Sequence, residues 1–145
     1  MRMNSVIRPL CWVAALALVA IAGCGDDAPP IGQVSGTVTR GGKPVPNLTV
    51  NFMPTEGRPS WGLTDANGRY TLHWDEAHEG AEVGTHKVSV AFVPGSPEEE
   101  AARARGTLRL PAEQQAITEK YGNFETTPLT FEVKKGRQVI DIKLD

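Results

Sequence analysis

Gln33-Val-Ser-Gly-Thr-Val-Thr39 (QVSGTVT) sets the fold class, because apolar or small Val34, Gly36 and Val38 alternate with polar Ser35, Thr37 and Thr39. A period of two puts successive side chains on opposite faces, as in a strand with one buried side. The residues that follow, Arg40-Gly41-Gly42-Lys43-Pro44, carry the glycine and proline of a turn. Further on, Leu48, Val50 and Phe52 alternate with Thr49 and Asn51 until Pro54. Trp61 and Leu63 form a third run, and Asp65-Ala66-Asn67-Gly68 reads as a tight reversal. Tyr70, Leu72 and Trp74 are expected to share one inward face, and Val88, Val90 and Phe92 another. Leu129, Phe131 and Val133 then lead through a Lys135-Gly136 turn into Ile140, Ile142 and Leu144.

Seven short runs divided by turn signals, with no long helical period, predict an all-β domain, an antiparallel β-sandwich. The stretch 94–127 breaks the alternation and is expected to be a short helical or irregular insertion before the last two strands. Within it, Glu98 to Glu100 precede Arg103 and Arg105, an order that suits the helix dipole and i,i+4 pairing. The apolar content of the insertion is thin, which points to a mobile segment.

Upstream of the strands the chemistry changes. Met1 to Pro9 is short and basic through Arg2 and Arg8, and Leu10 to Ala22 (LCWVAALALVAIA) is uncharged and apolar, as in a signal peptide. As a helix that run would cover only about 20 Å of a hydrocarbon core about 30 Å thick, too little to span it. Ile21-Ala22-Gly23-Cys24 at its end resembles the bacterial lipobox: an aliphatic residue at −3, small residues at −2 and −1, then cysteine. The resemblance implies cleavage between Gly23 and Cys24 and acylation of the cysteine's sulfur and new amino group, for example by palmitate, which gives a stable membrane anchor. The competing reading is an ordinary signal peptide with a cysteine placed there by chance. Residues 1–23 are thus expected to be a lipoprotein signal peptide, 24–32 a lipidated flexible tether, and 33–145 the folded domain. Gly25 follows the cysteine and Asp26 comes one place later, so inner and outer membrane both stay open, with the domain facing periplasm or cell exterior.

Removing everything before Cys24 leaves 122 of the 145 residues, a length suited to one domain with its own core. Arg2 and Arg8 leave with the leader, so 13 basic residues face 17 acidic ones, a formal charge near −4. That balance argues against nucleic acid as a partner, since a phosphate-backbone binder needs a concentrated basic face. Cys11 also lies in the leader, and Cys24 alone remains, so no intramolecular disulfide is expected.

The motifs taken together carry a family likeness. Val34-Ser-Gly-Thr-Val38, Gly42-Lys-Pro-Val-Pro46, Val50-Asn-Phe52, Thr64-Asp-Ala-Asn-Gly-Arg-Tyr70 and Gly84-Thr-His-Lys-Val88 resemble, in order and spacing, the carboxypeptidase-regulatory-like or transthyretin-like β-sandwich. Lys120-Tyr121, Thr126-Thr-Pro-Leu-Thr130 and Val133 to Leu144 resemble the ending of small bacterial lipoproteins that bear this domain. The likeness covers nearly the whole mature chain. It implies a seven-stranded Greek-key sandwich, transthyretin-like or immunoglobulin-like, used as an accessory or interaction module without a shared catalytic centre. The hydrolase branch of the transthyretin family ends in Tyr-Arg-Gly-Ser, whereas this chain ends in Asp141-Ile-Lys-Leu-Asp145, so that activity does not carry over.

His73, Asp75, Glu76, His78, Glu79 and His86 form the densest group of metal-ligand types. Their spacing is not that of H-E-x-x-H, and His73 falls opposite Tyr70 and Trp74, so solvated polar side chains are the expectation and no metal or other cofactor is called. Asp65-Ala66-Asn67-Gly68 lacks the glycine and bidentate glutamate of a calcium loop and is read as a turn. No nucleophile elbow or phosphate-cradling glycine loop is present in the sequence. Trp61, near Pro59, is the one aromatic expected to stay at an edge where a ligand can stack on it. The leading expectation is a non-catalytic, membrane-anchored envelope lipoprotein acting as a structural or protein-interaction module, its partner an envelope protein or polysaccharide that the sequence does not name. Carbohydrate binding at Trp61 and a metal-dependent enzyme are the two alternatives.

Overall fold

A computed structural model describes residues 29–145. The expectations for the leader, Gly23 and Cys24 lie outside the described residues. The described residues form two packed sheets and two helices.

The first sheet is built on the longest strand, β1 (Ile31–Arg40). One flank of β1 is covered end to end by three short antiparallel strands: β2 (Lys43–Pro44), β5 (Arg69–Thr71) and β6 (Ala81–Glu82). The other flank is covered by β9 (Gly136–Val139) and β10 (Ile142–Leu144). Here the pairing departs from the expected antiparallel pattern, because β9 and β10 run parallel to β1. The chain reaches this flank from the other sheet through a short turn at Lys134 and Lys135, so it returns in the direction of β1.

The second sheet has the order β4 (Ser60–Leu63), β3 (Leu48–Pro54), β7 (Gly84–Phe92), β8 (Thr130–Val133), antiparallel throughout. Trp61 on β4 and His73 exchange both backbone hydrogen bonds, at 3.0 and 2.7 Å, and this stitches the two sheets along one side.

The facing surfaces follow the sequence alternation closely. Val34 and Val38, with Leu72, Ile142 and Leu144, meet Leu48, Val50, Phe52, Val88 and Val90, all buried. Burying such side chains supplies about 1.5–3 kcal/mol each, which is what holds the sheets face to face. The Gly41-Gly42 turn uses left-handed φ values of 54° and 79°, the geometry that joins two adjoining strands with two residues. Gly36 is required for a different reason: the Ile140 carbonyl and the Tyr70 ring occupy the space that a Cβ would need.

The segment 94–127, expected to be a short helical or irregular insertion, carries α1 (Pro97–Ala104), where the charge order suggested a surface helix, and α2 (Ala112–Tyr121). α1 buries no residue, whereas α2 packs on β7 and buries Ile117 and Tyr121 in the main core. Two large apolar anchors four residues apart suffice to dock a helix whose other positions are polar or alanine. The Tyr121 hydroxyl also bonds the Asp145 carboxylate, and Lys120 reaches the same group at 2.5 Å. Trp74 departs from its expected inward place. β5 ends at Thr71, and Trp74 lies half-buried at the surface, with its indole Nε1 donating to Glu82 Oε1 at 2.9 Å. No helix among the described residues is long and apolar enough to cross a membrane.

Candidate functional site around Trp61

Strand parity dictates where Trp61 points. Ser60 and Gly62 face the core, so Trp61 and Leu63 face out, 50% and 54% exposed. β4 is held by β3 on one side and by His73 on the other, so the indole is presented on fixed backbone. The His73 ring lies beside it at 5.5 Å between centroids, tilted by 38°.

Two shallow clefts flank the indole. One, of about 350 Å³, is lined by Leu63, Asp65, Arg69, Thr71 and His73. The other, of about 460 Å³, is lined by Arg58, Asp75, Glu76 and Ala77. Arg58 is fixed across the Trp74 ring, its guanidinium 4.8 Å from the centroid, and its amide donates to Glu82. One aromatic plate therefore stands between two sets of charged hydrogen-bonding groups. That arrangement suits a flat, hydroxyl-rich ligand, which needs an apolar face under its C–H groups and polar partners around its rim.

The metal-ligand candidates do not converge. His73 belongs to the Trp61 face, and His78 turns back on Asp75, with Nδ1 to Oδ1 at 2.8 Å. His86 is buried beside Phe52, its Nε2 2.7 Å from the Glu82 carbonyl oxygen. Glu76 and Glu79 are exposed, and no group of three His, Cys, Asp or Glu side chains among the described residues is placed to hold a metal ion. Asp75 closes its own loop: Oδ1 accepts from the amides of Ala77 and His78 as well as from the His78 ring. Partial desolvation acts upward on its carboxyl, but the bonds from the His78 ring and the two amides outweigh it and hold the group below the usual carboxylate range. Asp65 likewise spends Oδ1 on the amides of Asn67 and Arg69, which makes its segment a turn.

Parity and a nearby proline were enough to single out Trp61. Arg58 and Arg69 were missed, because the β3–β4 loop brings the first beside it and the packing of β5 against β4 brings the second, and no spacing in the sequence reports either. Set against family models, curated proteins and solved structures, the chain matches none of them.

Proposed function

We propose that the protein is a non-catalytic lipoprotein of the bacterial cell envelope: a small sandwich anchored through acylated Cys24 that binds another envelope component. The observation that carries the reading is Ile21-Ala22-Gly23-Cys24 at the end of an uncharged apolar run, with β1 beginning only seven residues after the cysteine. The fold reading is a seven-stranded Greek-key sandwich of the carboxypeptidase-regulatory-like kind. It is supported by the strand lanes, three across the β1 sheet once its end-to-end short strands are merged and four across the other. Cells fed a labelled fatty acid test the anchor. The wild-type chain takes up label and its first residue by mass spectrometry is a modified Cys24, while Cys24→Ser takes up none. An unlabelled wild-type chain, or a mature chain that starts elsewhere, overturns the reading.

A second reading, that the bound component is a polysaccharide held at Trp61, is favoured by the half-exposed indole between two polar clefts. Envelope polysaccharide cast into a native gel then retards the wild type but not Trp61→Ala. That variant loses less than about 1 kcal/mol of stability, as expected at an exposed position. Equal migration of the two proteins removes this reading.

A further inference from the structure

The anchor and the first strand together limit how far one end of the sandwich can stand from the bilayer. The described chain is already pinned at Pro30, whose carbonyl accepts the Val83 amide at 2.8 Å. The six links from Cys24 to Pro30 reach at most about 20 Å, less than the length of β1, about 33 Å for ten residues. The N-terminal end of β1 therefore stays beside the lipid, whatever the path of the tether.

That end carries a concentrated positive turn. Gly32 pairs with Gly136 and Gln33 with Arg137, and the Lys134 carbonyl fills the place of a Cβ on Gly32, so the β8–β9 turn sits directly beside the tether exit. Lys134, Lys135 and Arg137, three cations in four positions, are all exposed. None has a carboxylate partner among the described residues; Arg137 reaches only the Gln33 amide oxygen, at 3.4 Å. The carboxylates at this end are Glu56, Glu79, Glu82 and Glu132; Glu79 lines a shallow cleft with Gln33 and Arg137 but forms no ion pair with the guanidinium. Glu82 is engaged by Trp74 and the Arg58 amide, and Glu132 points out from β8 just before the turn. Val83, 36% exposed beside Pro30, adds an apolar side chain to the same rim.

Resting on the lipid-anchor reading, we infer that the Lys134-Lys135-Gly136-Arg137 turn docks on anionic phospholipid headgroups of the bilayer that holds Cys24. Cationic side chains held at an anionic surface are attracted strongly within about one Debye length, roughly 10 Å in 0.1 M salt, and the tether keeps the turn within reach of that layer. Docking orients the domain, with the β1–β2 hairpin pointing away from the membrane.

The test uses the whole acylated protein, reconstituted in vesicles of phosphatidylcholine alone or with phosphatidylglycerol added. Amide hydrogen exchange over 133–138 slows at least about threefold in the anionic vesicles, and the slowing disappears in about 0.5 M salt and in Lys134→Glu/Lys135→Glu. Exchange in the Gly41-Gly42 hairpin is the same in both lipids. Asp26 and Asp27 on the tether are present in every sample, so the comparison between lipids isolates the headgroup. A protein that floats with both vesicles but exchanges equally in them overturns the docking and leaves the anchor standing. A protein that floats with neither overturns the anchor and the docking together.

Discussion

Tyr70 is the residue on which most of the β1 sheet converges. It is buried, its ring covers Gly36, and its hydroxyl donates to the Ile140 carbonyl at 2.6 Å, so one side chain ties β5 across β1 to the segment that joins β9 and β10. Tyr70→Phe leaves that carbonyl short of a partner and is expected to lower unfolding free energy by about 1–2 kcal/mol in urea titration. Burial, helped by the negative charge of Asp141, pushes the phenol well above its ordinary value. Folding therefore favours the neutral form. The stability this gives is intact below the unfolded tyrosine value of about 10 and drains away as pH rises above it. The thermal midpoint of the wild type should fall more steeply from pH 9 to pH 11 than that of Tyr70→Phe; parallel curves refute the assignment. At this scale the sequence was legible for Tyr70 and Leu72, whose parity alone placed them. Trp74 was not, because a loop that begins after the strand carries no period to read.

The two helices of the 94–127 segment contrast as elements. α1 is capped locally: Ser96 Oγ accepts from the Glu99 amide at 3.2 Å, and Glu99 Oε2 accepts from the Gly95 amide at 2.7 Å. It has no buried residue to hold it to the sandwich. α2 lacks a side-chain cap but is anchored by Ile117 and Tyr121. Ser96→Ala should therefore speed amide exchange in α1 without moving the global urea midpoint. Ile117→Ala should lower global stability by about 2–4 kcal/mol, since it opens a cavity in the shared core. A global shift from the cap variant, or none from the core variant, contradicts this division. The sequence pattern marked α1 through its charge order. It missed the docking of α2 because two large apolar residues in ten are too few for an amphipathic stripe, and their burial depends on β7, which is remote in the sequence.

At the scale of the whole molecule, the two sheets were legible because every long run obeyed the period of two. The parallel flank of β1 was not, since direction is set by which sheet the chain has just left. β9 and β10 supply all the hydrogen-bonded neighbours on that flank and bury Ile142 and Leu144. A chain stopped after Lys135 is expected to lack the cooperative urea transition of the full protein, whereas loss of a detachable edge would preserve a weaker one. The candidate site was legible only in Trp61; Arg58 belongs to the β3–β4 loop and Arg69 opens β5, and what brings both beside the indole is the finished fold.

The same flank sets an order of events. Ile31–Arg40 is the earliest of the described strands to emerge from any machine that delivers the chain amino end first, yet half of its neighbours lie about a hundred residues later, at Gly136–Leu144. Closing so long a loop is entropically slow and rewards nothing until it is done. A chain threaded through a narrow pore thus stays pliable for almost its whole passage and locks only when its final strands come through.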